Sequence, residues 1–277
     1  MALDAQTRPL TSADILKLPS TPAAQKIAYG DSPQQYAELR LPEGRGPFPV
    51  IVVIHGGCWV GYASANYTAH IASALVTERW ATWNLEYRHG KEQGGGWPGT
   101  FQDIGRGVDA LRDATSKYPL DLRRVTTLGH SAGGQLALWA AARDRIPRDS
   151  EVFAENPLPI RAAVSLGGIA DMRAYAAGGP HDCVAGELQV MGGAPEQHPE
   201  RYAAVSPMEL LPMAARQALV WGEQDRIVPE SLFREYERRS GAEVIRIEGA
   251  GHHELCSADA PGWRRIVEAI KRLITAP

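Results

Sequence analysis

Short apolar runs alternate with segments of helical length along most of this 277-residue chain, and this alternation restricts its fold more than any other feature. Residues 50–54 form an unbroken β-branched run, which is typical of a strand covered on both faces of a parallel sheet. Strands that alternate with helices predict an α/β fold with a doubly wound, mostly parallel sheet. The predicted strands are residues 36–41, 50–54, 80–85, 125–128, 161–166, 218–221 and 244–247, and the main predicted helices are residues 69–78, 131–142, 229–239 and 263–274.

One stretch interrupts this alternation. Residues 170–205 contain many glycines, prolines and histidines but no clear strand pattern, so we interpret them as a small cap insertion over one edge of the sheet. No internal repeat, low-complexity segment or linker divides the sequence. We therefore predict one domain over residues 1–277, which begins with a short helix and a connecting arm.

Composition excludes several classes of protein. The 29 Lys and Arg residues against 32 Asp and Glu residues give a formal net charge of −3, which offers no basic field for nucleic acid or an anionic membrane. No apolar run has membrane-spanning length, and residues 1–20 lack the apolar stretch of a secretory signal. The cysteines Cys58, Cys183 and Cys256 are sparse and lack metal-ligand spacing, so we predict a reduced chain in the cytoplasm.

A candidate nucleophile lies between a predicted strand and a predicted helix. Residues 129–133 read Gly-His-Ser-Ala-Gly, which fits the pattern G-x-S-x-G. A sharp strand-to-helix turn lifts the serine hydroxyl out of the sheet, so Ser131 could attack a carbonyl carbon. The same turn puts the backbone N–H of Ala132 at a helix N-terminus, where negative charge is favoured. The alternative is that Ser131 only caps this helix.

A second glycine-containing loop follows the buried strand directly. Residues 55–59 read His-Gly-Gly-Cys-Trp, and backbone N–H groups in such a loop can stabilise the oxyanion of a tetrahedral intermediate. We predict an oxyanion hole formed by the N–H groups of Gly57, Cys58 and Ala132. His55 is expected to brace the loop, and Cys58 to carry an incidental thiol, because no basic partner for it is apparent. The alternative is that the two glycines only turn the chain.

A serine nucleophile needs a histidine base and an acid that orients the histidine. Asp225 and His252 both lie in loops after predicted strands, where open parallel sheets place catalytic groups, and they follow the serine in the chain order expected of this fold. Glu223 is an alternative acid and His253 an alternative base. Asp225 could also only cap the helix that follows it.

Other candidate binding residues are less sharply defined. Trp59 and Trp97 are predicted walls of a substrate pocket, although large aromatic side chains also commonly belong to the core. The segment 170–205 could be a lid that selects substrate, or could simply pack on the surface. No cofactor and no metal is predicted, because no G-K-[ST] follows the glycine run at residues 94–96 and the remaining histidines lack zinc-ligand spacing. Those histidines are His70, His89, His130, His181 and His198.

With these motifs the sequence resembles the α/β-hydrolase superfamily, and more narrowly the branch of hormone-sensitive lipases, feruloyl-esterase-like enzymes and arylformamidases. The resemblance extends from about residue 36 to residue 277 and rests on residues 55–59, 129–134, 222–225 and 251–252, with 86–88 (Glu-Tyr-Arg) as a further match. It implies an α/β-hydrolase fold and serine-dependent hydrolysis through an acyl-enzyme. Cys58 stands where many lipase-like members have a third glycine, which implies a narrower acyl pocket.

These features together predict a serine carboxylesterase. Ser131 would attack an ester of a small or medium acyl or aryl group, His252 would take its proton, and Asp225 would hold the imidazole. The alternatives are an arylformamidase-type amide hydrolase, a small peptidase and a non-catalytic binding protein on the same fold. The predicted partner is a small-molecule ester or amide, with no nucleic acid and no membrane. The sequence leaves the oligomeric state open, a homo-oligomer included.

Overall fold

The computed structural model of this chain describes residues 8–178 and 183–275. Within those ranges the predicted α/β sheet is confirmed. Seven of its eight strands match the predicted ones in position, and the order across the sheet is β1-β2-β4-β3-β5-β6-β7-β8. The strands are β1 (Gln25–Ala28), β2 (Tyr36–Arg40), β3 (Phe48–Ile54), β4 (Ala81–Leu85), β5 (Leu120–His130), β6 (Ala162–Leu166), β7 (Arg216–Gly222) and β8 (Glu243–Ile247).

The strands from β3 to β8 all run parallel, and only β1 and β2 pair antiparallel to their neighbours. Parallel pairing requires a crossover between strands, and helices supply most of these connections. The helices are α1 (Ser12–Ile15), α2 (Ala65–Thr77), α3 (Gly99–Asp109), α4 (Leu111–Ala114), α5 (Ala132–Ala141), α6 (Met172–Ala177), α7 (Val184–Met191), α8 (Pro199–Val205), α9 (Glu230–Ser240) and α10 (Trp263–Thr275).

The two faces of the sheet bury separate apolar clusters. The β-branched run in β3 contributes to both, because alternate side chains of a strand point to opposite faces. Val50, Val52 and Ile54 belong to one cluster, and Ile51 and Val53 to the other. Helices α3, α5 and α9 pack on the first face, and α2 and α10 on the second. The central strands are therefore shielded on both sides, as their sequence predicts.

The differences from the sequence prediction lie at the margins of the sheet. Strand β1 is an unpredicted edge strand, and its Gln-Lys-Ile-Ala sequence is mostly exposed, so it lacks the alternation that marks a half-buried strand. Strand β5 begins at Leu120 and is longer than the predicted apolar run. Helix α2 begins at Ala65, four residues earlier than predicted. Among the described helices, none combines the length and apolar character needed to cross a bilayer.

The cap segment, which we define as residues 170–205, holds helices α6, α7 and α8 and no strand in its described part. Residues 179–182, including His181, lie outside the described residues. The side chains of Met172, Tyr175 and Met191 are fully buried. They belong to the apolar cluster on the first face of the sheet, the one that α3, α5 and α9 cover. The described part of this segment therefore packs into the core. A role as a mobile lid stays a prediction.

Candidate active site

The turn that carries Ser131 joins β5 to α5. Ser131 has φ 57° and ψ −125°, a backbone conformation that non-glycine residues rarely adopt. Its glycine neighbours make the turn feasible. A Cβ on Gly129 would lie 1.9 Å from the Gly133 carbonyl oxygen, and a Cβ on Gly133 would lie 2.2 Å from the Ile54 oxygen. The glycines of G-x-S-x-G are thus required by backbone contacts at this turn, and α5 begins at Ala132, the residue after Ser131.

The oxyanion loop, which we define as residues 55–64, connects β3 to α2. Gly57, Cys58 and Trp59 all have positive φ, at 104°, 51° and 59°. A Cβ on Gly56 would lie 2.7 Å from the His130 oxygen, so this loop touches the turn before Ser131. The structure therefore brings the predicted oxyanion donors beside the predicted nucleophile.

Asp225 and His252 are hydrogen-bonded to each other, with 2.7 Å between His252 Nδ1 and Asp225 Oδ2. The other carboxylate oxygen of Asp225 accepts the backbone N–H groups of Ile227 and Val228, at 2.8 and 3.0 Å. The Asp225 side chain is fully buried, whereas Glu223 is exposed to solvent. Of the two candidate acids, only Asp225 holds a histidine.

The second candidate base, His253, has different partners. Its Nδ1 lies 2.9 Å from the Tyr67 hydroxyl. Burial, together with the neighbouring His252, lowers the pKa of His253 to about 4. The His130 ring lies beside both histidines and is tilted against their rings, and its Nε2 donates to the His252 carbonyl oxygen at 2.9 Å. Burial also holds the pKa of His130 well below its ordinary value. Both neighbours of His252 are therefore neutral at pH 7.

Ser131 and His252 line the same cavity, of about 140 Å³. In the described part of the chain, no hydrogen bond joins their side chains, and in free enzymes such contacts often tighten only when substrate binds. Tyr62 lies at the cavity and is 69% exposed. The full lining is Ser12, Gly57, Cys58, Tyr62, Ala63, Tyr67, His130, Ser131, Cys183, Ile227, His252 and His253.

Gly167 is a site residue that the sequence reasoning missed. It follows β6 directly and has φ 55°. A Cβ there would lie 3.1 Å from both Asp225 Oδ2 and His252 Nδ1. The signal was a Gly-Gly pair immediately after a predicted strand, similar to the pair in the oxyanion loop, which follows its strand one residue later. This glycine leaves room for the Asp225–His252 pair.

Cys58 and Cys183 form a disulfide with 5.0 Å between their Cα atoms, so the prediction of a reduced chain is wrong for this pair. Cys58 accordingly carries no thiol. Helix α7 begins just after Cys183 and packs on the oxyanion loop so closely that a Cβ on Gly186 would lie 2.2 Å from the Cys58 oxygen. Sequence spacing could not reveal this contact, because the two cysteines are 125 residues apart. Cys256 is free and buried.

Neither predicted tryptophan belongs to this cavity. Trp59 is fully buried in the core, where its indole N–H donates to Gln135 Oε1 at 3.0 Å. Trp97 lines a separate cavity, and its N–H donates to Glu151 while the Arg201 guanidinium lies over its ring. The prediction that these side chains form the walls of the active-site pocket is therefore wrong. Trp59 is a core residue, and Trp97 lines a different cavity.

Three side chains of the kinds that bind metal ions lie close together at the oxyanion loop. Donor atoms of His55, Glu86 and His89 lie within 4.8 Å of one another, and all three residues are buried. The Glu86 carboxylate already accepts His55 Nε2–H at 2.9 Å and the backbone N–H groups of Ala65 and Tyr87. These hydrogen bonds occupy the oxygens that a metal would use. We therefore interpret the cluster as a hydrogen-bonded brace for the loop.

Comparisons with known proteins identify the family of this chain. The BD-FAE family model matches residues 38–236. Esterase LipC of Mycobacterium tuberculosis is 26% identical over 82% of this chain and 59% of its own length, and esterase LipQ of the same organism is 25% identical over 80% and 54%. This chain thus spans less than two thirds of either relative.

Solved structures of esterases share the fold. A truncated carbohydrate esterase from gut microbiota superposes with a TM-score of 0.78 over 93% of this chain and 98% of its own, at 21% identity. Esterase B from Lactobacillus rhamnosis does so with a TM-score of 0.76 over 93% and 89%, at 17% identity. The resemblance stated from the sequence motifs is confirmed. The chain belongs to the BD-FAE family and has the α/β-hydrolase fold.

Proposed function

We propose that this protein is a serine carboxylesterase that acts on small esters, and that Ser131, His252 and Asp225 are its catalytic residues. The observation that carries the proposal is the convergence at one cavity of a serine on a strained turn, a loop with positive-φ backbone, and a histidine held by a buried aspartate. Relatives of this family named as esterases support the same reaction class.

The first half of the reaction forms an acyl-enzyme. Asp225 Oδ2 accepts the Nδ1–H of His252, which leaves Nε2 unprotonated and able to take the proton of Ser131 Oγ as that oxygen bonds to the ester carbon. The N–H groups of Gly57, Cys58 and Ala132 then stabilise the oxyanion. Each donor of this kind is typically worth about 3–4 kcal/mol.

In the second half, His252 returns its proton to the departing alcohol, and a water molecule attacks the acyl-enzyme with His252 again as base. Release of the acid regenerates Ser131. The neutral state of His130 and His253 helps this exchange, because neither adds a positive charge that would oppose protonation of His252. No cofactor takes part in these steps.

The dimensions of the cavity favour short acyl groups. Its volume of about 140 Å³ is well below the range of about 300–1,000 Å³ common for drug-sized ligands, and the Cys58–Cys183 disulfide forms part of its wall. We therefore propose acetyl to butyryl esters as preferred substrates. Hydrolysis of an aryl formamide is the second candidate, supported by the formyl group being smaller still.

The test compares the wild-type enzyme with Ser131→Ala on p-nitrophenyl acetate, butyrate and octanoate, with an N-formyl aryl amine as a further substrate. Loss of the nucleophile should lower kcat by about a million-fold. Equal turnover by both proteins would end the proposal. A preference of several orders of magnitude for the formamide would replace the ester with the amide as substrate.

The cytoplasmic location predicted from the sequence stays a prediction. The Cys58–Cys183 disulfide weighs against it, because structural disulfides persist mainly in oxidising compartments.

A further inference from the structure

We infer that Glu86 is a positioning residue of the proposed esterase, because its buried carboxylate holds both ends of the oxyanion loop. The inference rests on the proposed function, since the loop matters to catalysis only if Gly57 and Cys58 stabilise an oxyanion. Glu86 does not line the active-site cavity, so it acts through the loop and not on the substrate.

The sheet register brings Glu86 to the first end of the loop. Strands β3 and β4 are parallel neighbours, and Ile54 pairs with Leu85 as the last residue of each strand. The residues that follow, His55 and Glu86, are therefore also neighbours. His55 Nε2–H donates to Glu86 Oε1 at 2.9 Å, and both side chains are almost fully buried.

The same carboxylate holds the other end of the loop. Glu86 Oε2 accepts the backbone N–H of Ala65, the first residue of α2, at 2.8 Å. Ser64 occupies the N-cap position of that helix but makes no side-chain capping bond. Glu86 therefore accepts one of the backbone N–H groups that a helix leaves unpaired at its N-terminus, and its negative charge suits that position. The Glu86 carboxylate thus bonds to both His55 and Ala65, which are ten residues apart in the chain.

The loop needs such support because its backbone is unfavourable. Cys58 and Trp59 are consecutive non-glycine residues with positive φ, and this conformation typically costs about 1–2 kcal/mol per residue. Strained conformations of this kind persist only when the surrounding contacts fix them. The Tyr87 hydroxyl donates to the His55 oxygen at 2.9 Å, and the Gly90 N–H donates to the Trp59 oxygen at 2.7 Å. These bonds and the Glu86 carboxylate together hold the loop.

The charge of Glu86 is part of this arrangement. Burial alone would raise its pKa, but the His55 imidazole and the N–H groups of Ala65 and Tyr87 outweigh burial and hold the pKa below its ordinary value. The hydrogen bonds to this carboxylate all come from donors, His55 Nε2–H and the backbone N–H groups of Ala65 and Tyr87, and His89 Nε2 lies 3.6 Å from Oε1 without a hydrogen bond. A glutamine in its place would turn an NH₂ group toward an N–H donor, so Glu86→Gln should release one end of the loop while keeping the side-chain size.

The test measures kcat and KM of Glu86→Gln with p-nitrophenyl acetate. We expect kcat to fall by about 10–100-fold and KM to change by less than about threefold, because displaced N–H groups stabilise the oxyanion of the transition state more than the substrate carbonyl. The rate of Ser131 phosphonylation by a fluorophosphonate should fall in parallel. The matched control is Asp121→Asn, which alters another buried carboxylate, paired with Arg123 and Arg124 at the start of β5, and should leave kcat unchanged.

The outcomes separate this inference from the proposed function. If the wild-type enzyme hydrolyses the ester and a folded Glu86→Gln variant has wild-type kcat, the inference fails and the esterase proposal stands. If the wild-type enzyme is inactive, the esterase proposal itself fails. Should Glu86→Gln not fold, Glu86→Asp keeps the charge but shortens the reach to Ala65, and it should show the same loss of kcat. Misfolding of both variants would contradict the inference, because Glu86 would then serve the fold.

Discussion

Breaking the Cys58–Cys183 bond should destabilise the protein strongly. The two residues are 125 apart in sequence, so the bond closes a long loop in the unfolded chain. By the chain-entropy account, a loop of this length restricts the unfolded state by about 5 kcal/mol at 25 °C. Since about 1 kcal/mol shifts the melting temperature of a chain this size by roughly 2–4 °C, full reduction should lower it by roughly 10–20 °C.

The assay begins with a thiol count. Cys256 is the one cysteine outside the bond, so iodoacetamide should label one thiol per chain in denaturant without reductant and three after reduction. Thermal unfolding is then followed with and without dithiothreitol. The matched control is Cys183→Ser, which should melt at the lower temperature under both conditions. Three labelled thiols before reduction, or one melting temperature in both conditions, would refute the reasoning.

Three further perturbations test other parts of the structure. Asp225→Asn should lower kcat by about 10⁴-fold with the fold intact, because the amide no longer selects the productive His252 tautomer; stopped-flow kinetics and circular dichroism check this. Gly167→Ala should lower kcat by about tenfold or more, since its Cβ would press on the Asp225–His252 pair; an unchanged kcat would contradict the close packing. Burial, with the nearby Asp171 charge, raises the pKa of Glu187 to about 9, so the folded state keeps a proton that the unfolded state releases above about 4.5. Unfolding free energy should therefore fall as pH rises through this window, by at most about 1.4 kcal/mol per pH unit. Glu187→Gln should flatten the profile of melting temperature against pH, whereas the control Glu235→Gln, at a partly exposed carboxylate with no raised pKa, should not.

The sequence predicted those features of the fold and site that depend on residues close together in the chain. The β-branched run of β3 had to be buried on both faces, and it is. Ser131, Asp225 and His252 were each placed after a strand, and parallel strands bring their carboxyl ends to one edge of the sheet. The structure brings all three to that edge. Their catalytic roles stay a proposal until tested.

What the sequence could not predict depends on contacts between distant segments. The Cys58–Cys183 bond and the packing of α7 on the oxyanion loop join parts of the chain that no local pattern relates. The Gly-Gly pair at residues 167–168 marks a loop in the sequence, but only the structure shows Gly167 beside Asp225 and His252. An aromatic residue type predicts a pocket wall at Trp97, whereas the position of this side chain depends on its contacts with Glu151 and Arg201.

The most direct test of the central claim is to identify the residue that reacts with an activated phosphonate. After treatment with a p-nitrophenyl alkylphosphonate, peptide mass spectrometry should find one adduct per chain, on Ser131, and esterase activity should fall in proportion to the labelled fraction. His252→Ala should slow the labelling, and Ser131→Ala should abolish it. An adduct on any other residue, or full ester hydrolysis by a protein labelled at Ser131, would contradict the account.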